Sequence, residues 1–347
     1  LVGALKTAAR YGGPATELIR KILLWREQDK ILTTYTAPII KRCDARGVLH
    51  AQLKQVGTKT GRLSSSDPNL QNIPTPNDDD VHTQGINVRR AFLVPSGMMR
   101  IYIDFSQIEL RVLAFLAKEP TMTAAFVNKE DIHTRTSLAL FNSKEKKWRR
   151  VAKVINFGIS YGMSALGVME NLNATADPDK GVDYVTEEQA ASFLARFHER
   201  YPRVMGFCTE LWQDMRRQNP PQFTNPFGRT RRLPALAAIG RDGRRAERQA
   251  VASLIQGTAA DIAKVSMVRV GERLDEARLA GLYDGNFILT VHDENQIDVN
   301  YEGAPRAVVD LKRDMEHFPQ FAPIDITAEA EWSSTSWADK KPVWGDK

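Results

Sequence analysis

Two acids at the ends of strand-like segments, set far apart in the chain, constrain this sequence more than any other feature. Arg100 to Asp104 reads as a strand that ends on an acid, and Ser106 to Ala117 then takes up helical periodicity, so Asp104 is predicted at a strand-to-helix junction. Phe287 to Val291 and Gln296 to Val299 read as two strands flanking His292-Asp293-Glu294, which puts Asp293 at a hairpin tip. The chain between them is mostly helical. Asp131 to Arg217 is helical except for a polar insert from Asn173 to Asp183, whose Asp177-Pro178-Asp179-Lys180-Gly181 reads as an exposed turn, and a further helix is predicted from Arg244 to Arg278. Taken singly, each aspartate reads more readily as a turn or cap residue, and nothing in the spacing brings the two together.

The rest of the chain bounds the answer. At 347 residues with 42% hydrophobic content it can bury a substantial core, enough for two or three packed units. A net charge of +6 and a pI near 9.2 favour a polyanionic partner, although ordinary soluble proteins share that excess. Cys43 and Cys208 stand alone, without a CxxC or His-rich setting, which excludes a disulfide framework or a zinc site built on them. No run approaches the roughly 18 apolar residues of a membrane span, and Leu1 to Arg10 lack a signal-peptide layout, so a soluble intracellular chain is expected. The first residue is Leu1 and not Met, which reads as a fragment of something longer. From Thr16 to Tyr35, Leu18, Ile22, Trp25 and Leu32 recur near helical spacing and predict an amphipathic, structural helix. Thr58 to Asp80, rich in Ser, Asn, Asp and Pro, predicts a long loop of the kind that binds something.

Arg149, Lys153, Phe157 and Tyr161 follow one another at steps of four. Each step turns an α-helix by about 400°, a drift of only roughly 40°, so all four line one broad face. Two cations at one end and two aromatics at the other suit a nucleoside triphosphate, the cations meeting phosphates and a ring packing on the base. A solvated basic turn followed by core aromatics is the alternative. Gly158 and Gly162 weigh against it, since each costs roughly 1 kcal/mol in a helix interior and suggests close approach by a ligand or another chain.

With its neighbours, this segment, Arg149-Arg150-Val-Ala-Lys153-Val-Ile-Asn-Phe157-Gly-Ile-Ser-Tyr161-Gly, resembles the fingers helix of family A (bacterial polymerase I-like) DNA polymerases. Thr60-Gly61-Arg62-Leu-Ser-Ser-Ser-Asp-Pro-Asn-Leu-Gln71-Asn72 resembles that family's primer-template loop, and Asp104-Phe105-Ser106-Gln107-Ile108-Glu109 its first catalytic motif. Gln256-Gly-Thr-Ala-Ala-Asp261 is similar to its template-contacting helix, and His292-Asp293-Glu294 to its last catalytic motif. Together the motifs run in the family's order from about residue 16 to Trp337.

The resemblance implies an α+β right-hand polymerase with an antiparallel palm sheet, helical fingers and a partial helical thumb. Its units are expected at 1-45 (thumb remnant), 46-109 (palm, first part), 110-244 (fingers) and 245-347 (palm, second part). The implied activity is template-directed extension of a primer 3′ end with dNTPs, releasing pyrophosphate, with no proofreading exonuclease in this chain. Asp104 and Asp293, with the Phe105 carbonyl, are the implied ligands of two Mg²⁺ ions, Mn²⁺ being a possible substitute; such a pair suits phosphoryl transfer, and Mg²⁺ needs few protein carboxylates. Glu294 and Lys153 complete the implied catalytic set, Lys153 protonating the leaving pyrophosphate. Arg149, Lys153, Phe157, Tyr161, Gln107 and His133 are implied to bind dNTP, and Glu109 to exclude a ribose 2′ hydroxyl. Arg62, Gln71, Asn72, Arg248, Gln256 and His292 are the implied DNA contacts, reading minor-groove geometry without choosing sequence. A cytoplasmic monomer in a bacterial or phage-infected cell, acting on primer-template DNA and without a membrane, is the matching setting. A short thumb predicts poor processivity and binding that falls steeply with salt.

The sequence departs from the family pattern in places: Phe105 stands where Tyr is usual, Ala252 and Leu254 where Asn and Pro are common, and Asn295 and Gln296 where apolar residues are favoured. Single-subunit RNA polymerases share the palm and the helix cations, but Glu109 and Glu294 favour deoxynucleotides. A noncatalytic primed-DNA binding module is the alternative from another class, and the intact Asp104, Asp293 and Lys153 count against it.

Overall fold

The computed structural model describes residues 15–74, 87–160, 163–174, 176 and 183–343. The described chain starts on α1 (Thr16–Lys30), passes through a π-helical stretch at Ile31–Thr36 and continues as α2 (Ala37–Arg42). A short antiparallel ribbon, β1 (Gln52–Lys54) with β2 (Ser64–Ser66), precedes the long strand β3 (Met98–Phe105). The helical middle comprises α3 (Ile108–Ala117), α4 (Pro120–Val127), α5 (Ile132–Phe141), α6 (Lys146–Ser160), α7 (Ala165–Ala174), α8 (Glu187–Arg200) and α9 (Pro202–Arg216). A second ribbon, β4 (Gln222–Thr224) with β5 (Thr230–Arg232), leads into α10 (Arg241–Leu279). Then come the hairpin β6 (Gly285–Val291) and β7 (Glu294–Asn300), helix α11 (Ala304–Glu316), and strands β8 (Ala328–Ser333) and β9 (Lys341–Pro342).

One antiparallel sheet, in the order β6-β7-β3-β8-β9, organises the molecule, with β3 at its centre between strands drawn from the far end of the chain. The sequence of β3 explains that place. Met99, Ile101, Ile103 and Phe105 alternate onto the face that meets the main core, and Ile101 and Ile103 are completely buried. Each such side chain contributes roughly 1.5–3 kcal/mol relative to exposure. On the opposite face Tyr102 joins a smaller core with Tyr35, Leu70, Leu289 and Trp337. Arg100 and Asp104 share that face by the two-residue period of a strand.

Arg100 lies directly opposite Asp298 of β7 and is gripped at both nitrogens, Nε to Oδ1 at 2.6 Å and Nη2 to Oδ2 at 2.8 Å. A slip of one residue would turn both charges into the apolar core, so this buried pair pins the register that sets Asp104 opposite Glu294.

The helices start where side chains satisfy their first N–H groups. Asp131 caps α5 by accepting from His133 N at 2.9 Å, and Thr186 with Gln189 closes a capping box on α8. Glu119, fully buried, caps two helices at once: Oε1 accepts from Thr121 N of α4 at 3.1 Å, and Oε2 from Arg203 N of α9 at 3.0 Å. Among the described residues, no helix is long and apolar enough to cross a membrane.

Several sequence expectations need correction. The apolar face expected on the first helix points outward: Leu18, Ile22, Trp25 and Leu32 are 61, 37, 64 and 57% exposed. Leu23, Ile31 and Tyr35 form the buried stripe instead, and Tyr35 anchors it in the smaller core. The expected loop from Thr58 contains β2 and a 3₁₀ turn at Leu70–Asn72, because Ser65 Oγ accepts from Leu70 N at 3.1 Å and folds the chain back; residues 75–80 lie outside the described residues. Asn173 and Ala174 belong to α7, and Asn173 bonds Val185 backbone N and O at 2.8 and 2.9 Å, tying the base of the expected insert; residues 175 and 177–182 lie outside the described residues. The hairpin strands extend further than expected, so its tip is His292-Asp293 alone and Glu294 opens β7.

Candidate active site

The sheet register assembles a row of acids. Glu294 of β7, Asp104 of β3 and Glu329 of β8 are direct cross-strand partners and therefore share one face. Asp104 faces the open cleft, yet the protein on its other sides removes it from bulk water. That burial, with the Glu294, Asp293 and Glu329 charges, pushes its carboxyl up to about 7, against the opposing pull of Lys340. Asp293 reaches the same point from the hairpin tip, where His292 takes the left-handed conformation (φ 56°) and Asp293 O accepts from Phe105 N at 3.3 Å. Burial raises the Asp293 carboxyl too, and Arg62 and His292 offset that only in part.

Glu294 is engaged on both oxygens, by Gln296 Nε2 at 2.9 Å and by an ion pair with Lys340, whose ammonium also lies over the Tyr102 ring at 4.4 Å. Gln296, a departure from the family pattern, thus has a defined task. Phe105 packs its ring into the main core, where a tyrosine hydroxyl would need a partner.

These carboxylates form one wall of a cavity of about 570 Å³ whose opposite wall is Arg149, Lys153, Phe157 and His133. The four-residue spacing along α6 therefore does place both cations and a ring on one surface; Tyr161 lies outside the described residues. Arg149 is held by Asp131 at 2.7 Å, and Lys153 is exposed to the cavity. Burial pushes Asp131 up, but hydrogen bonds from Arg149, Thr134 and His133 N more than offset it and hold the carboxyl below its usual range. His133 is buried beside Phe157, ring centroids 5.6 Å apart, and burial with the Lys153 and Arg149 charges pushes it down to about 4, against the opposing charge of Asp131. A Cβ on Gly158 would meet Met163 and Val168 of this chain at ordinary contact distances, so no close approach among the described residues explains that glycine; Gly162 lies outside the described residues.

Gln107 and Glu109 line the cavity where β3 turns into α3, a turn made possible by the left-handed backbone of Gln107 (φ 54°). Arg62 reaches in from its loop and ion-pairs with Glu109. The loop lies flat on α10 because Gly257 has no side chain: a Cβ there would sit 3.0 Å from Thr60 O. Gly61, at φ 87°, makes room for Arg229, which is itself held by Asp261.

Gln71 and His292 meet Arg62 and Asp293 around a narrow side pocket, with Gln71 Nε2 donating to Thr290 O at 3.3 Å. Asn72 is exposed in the same 3₁₀ turn, and Gln256 is buried on α10. Arg248 does not join them; it lines a separate cleft with Arg241 and Arg245 near the start of α10. Sequence reading missed Arg89, Glu329 and Lys340. Arg89 enters the cavity wall from a 3₁₀ turn, donating to Ile73 O at 3.0 Å and stacking on Trp337 at 4.4 Å, and adjacent Arg89-Arg90 carried no periodic signal. Glu329 and Lys340 owe their positions to long-range strand pairing.

The chemistry of this donor set suits a hard divalent cation. Asp104 and Asp293 open on the cavity with no hydrogen-bonded cation among the described residues; burial raises both carboxyls, and for Asp104 the neighbouring acids add to it. No group of three or more His, Cys, Asp or Glu side chains placed to hold a metal ion occurs among the described residues.

Fold and cavity together define a right-hand polymerase architecture, and the comparisons place it. The model of DNA polymerase family A matches residues 5–339, and the chain belongs to that family. The thermostable DNA polymerase I of Thermus filiformis is 37% identical over 336 residues, which cover 95% of this chain and 36% of the relative. DNA polymerase I of Treponema pallidum is 36% identical over 330 residues, 93% of this chain and 30% of the relative. The chain thus spans about a third of the length of these curated relatives. Among solved structures, the POL domain of Pol1 from M. smegmatis, in complex with a DNA primer-template and dNTP, is similar at a TM-score of 0.81 and 26% identity, covering 97% of this chain and 56% of that one.

Proposed function

We propose that this chain extends the 3′ end of a primer on a DNA template with deoxynucleotides, releasing pyrophosphate. One observation carries the reading: two carboxylates that burial raises, Asp104 and Asp293, share a single cavity with candidate phosphate donors, Arg149, Lys153 and His133. Asp104 and Asp293, with the Phe105 carbonyl, are the residues to hold a pair of Mg²⁺ ions. Bound there, the ions supply Lewis-acid activation of the attacking hydroxyl and neutralise the triphosphate.

The protein's own residues do the rest. Arg149 and His133 bind and orient the triphosphate; the primer hydroxyl gives its proton to solvent water as its oxygen bonds to the α-phosphorus, the bond from that phosphorus to the pyrophosphate oxygen breaks, and Lys153 donates a proton to the departing oxygen. Phe157 packs on the incoming base, and Glu109 with Gln107 occupies the sugar end of the cavity. Arg62, Gln71, His292, Asn72 and Gln256 follow the primer-template minor groove, with Arg248 more distant on the template side. In this reading, residues 46-109 and 245-347 are palm, 110-244 fingers, and 1-45 a thumb remnant.

Primer extension on a primed DNA template with Mg²⁺ and dNTPs tests the proposal. Extension by the parent that is lost in Asp104→Ala and in Asp293→Ala supports it. Tight DNA binding without extension by the parent refutes it in favour of a noncatalytic module, and a preference for NTPs refutes the choice of substrate.

A further inference from the structure

A chain of buried hydrogen bonds runs inward from the cavity through three helical elements. His133 and Thr136 stand on α5, Asn156 on α6, and Tyr201 at the junction of α8 and α9; all four are at most 3% exposed. Thr136 Oγ1 lies 3.0 Å from the Tyr201 hydroxyl and 3.2 Å from Asn156 Oδ1, and Asn156 Nδ2 lies 3.0 Å from His133 Nδ1. None of these groups except His133 touches the cavity.

With Asn156 Oδ1 toward Thr136 and Nδ2 toward His133, proton counting fixes the direction of every bond. Thr136 has one hydroxyl proton, and giving it to Asn156 Oδ1 obliges its oxygen to accept from Tyr201. Burial raises the Tyr201 hydroxyl, despite its bond to Thr136, so it stays protonated as that donor. With Oδ1 committed to Thr136, the Asn156 amide presents N–H to His133, and Nδ1 must accept. The remaining imidazole proton then sits on Nε2.

We infer that Asn156, set by Thr136 and Tyr201, is a positioning residue that locks His133 as a neutral Nε2–H donor aimed into the cavity. The consequence for phosphate recognition is specific and rests on the polymerase reading of the site. The opposite tautomer would turn a bare nitrogen lone pair toward phosphate oxygens, and repulsion would replace a hydrogen bond. An imidazolium would set an Nδ1 proton against the Asn156 amide donor, and the Arg149 and Lys153 charges facing the ring oppose it further, with Asp131 alone favouring it. The lock also spans the helices, so a ring that contacts nucleotide is tied to the far side of the helical unit through groups that touch no substrate.

The test has a spectroscopic and a kinetic arm, both on the full chain. In ¹⁵N-histidine-labelled protein, with His133→Gln assigning the signal, long-range ¹H–¹⁵N correlation should show protonated Nε2 and bare Nδ1, unchanged from about pH 8 down to about pH 5.5. In Asn156→Asp the carboxylate accepts from Nδ1, so the neutral ring should shift to the Nδ1–H form with Nε2 bare; an imidazolium, which the same spectrum distinguishes, would keep Nε2–H and leave KM unchanged. In the Nδ1–H form, loss of one hydrogen bond to a charged group should raise the dNTP KM about tenfold or more, with a smaller change in kcat. Tyr201→Phe should mix the tautomers and raise KM less. Nδ1–H in the parent overturns the inference without any variant needing to fold. The Nδ1–H form with an unchanged KM in Asn156→Asp overturns its role in nucleotide binding, and since the parent's extension is measured separately, that result leaves the polymerase reading intact.

Discussion

Removing Asp298 should destabilise the protein far more than removing both members of its ion pair. The Arg100 and Asp298 side chains are 8% and 4% exposed, joined by two charge-assisted bonds at 2.6 and 2.8 Å, and Arg100 Nη2 has one further acceptor, Leu93 O at 3.3 Å. Asp298→Ala leaves a guanidinium stranded in the sheet, and breaking a buried pair this way costs about 3–5 kcal/mol. Replacing both, as Arg100→Met with Asp298→Leu, removes both desolvation penalties along with the attraction and should leave stability within about 1 kcal/mol of the parent. Arg100→Met alone should fall between, because Asp298 can take up a proton. Urea unfolding of the four proteins at one pH measures the coupling directly. A loss under about 1 kcal/mol in Asp298→Ala, or a double variant as unstable as the worse single one, refutes the account.

Three other outcomes follow from the site and its supports. The Asp104 carboxyl is raised to about 7, so the fold favours its protonated form; metal-free protein should lose stability as pH rises from about 4 through about 7, and Asp104→Asn should flatten that loss in melting curves recorded with a chelator. Because Asp104 opens to solvent, the change should be about 1 kcal/mol or less. Glu119→Ala strands the first N–H groups of two helices and should cost about 2–3 kcal/mol by chemical denaturation. Lys153→Ala should lower single-turnover extension by about 10²-fold or more while DNA affinity, read by fluorescence anisotropy, stays within about threefold, since the side chain is exposed to the cavity and meets the Phe157 ring there.

The elements that line the candidate site were legible because local patterns specify them. The apolar run ending at Asp104, the hairpin around Asp293 and the four-residue rhythm of Arg149, Lys153 and Phe157 are read from neighbours in sequence, and the structure keeps all three. Their convergence was not legible, since it depends on β3 pairing with strands that follow it by a long stretch of chain. Glu329 and Lys340 were missed for the same reason: each is an ordinary surface residue until a strand register sets it beside Asp104 or Glu294. The outward face of the first helix failed differently. Leu18, Ile22, Trp25 and Leu32 form a good periodic pattern, but a second stripe, Leu23, Ile31 and Tyr35, competes with it, and the tertiary seat for Tyr35 decides between them.

The central position of β3 also bears on how the chain matures. Both of its neighbours, β7 and β8, are made after all the intervening helices. During synthesis the segment Met98–Phe105 emerges early, rich in Met, Ile, Tyr and Phe, and must wait without partners until the hairpin follows. Such late, long-range closure makes folding slow and leaves a sticky edge open in the meantime. A ribosome stalled before Gly285 should therefore carry a chain whose helices have begun to form but whose central strand is still available to chaperones, or to the same strand of another copy.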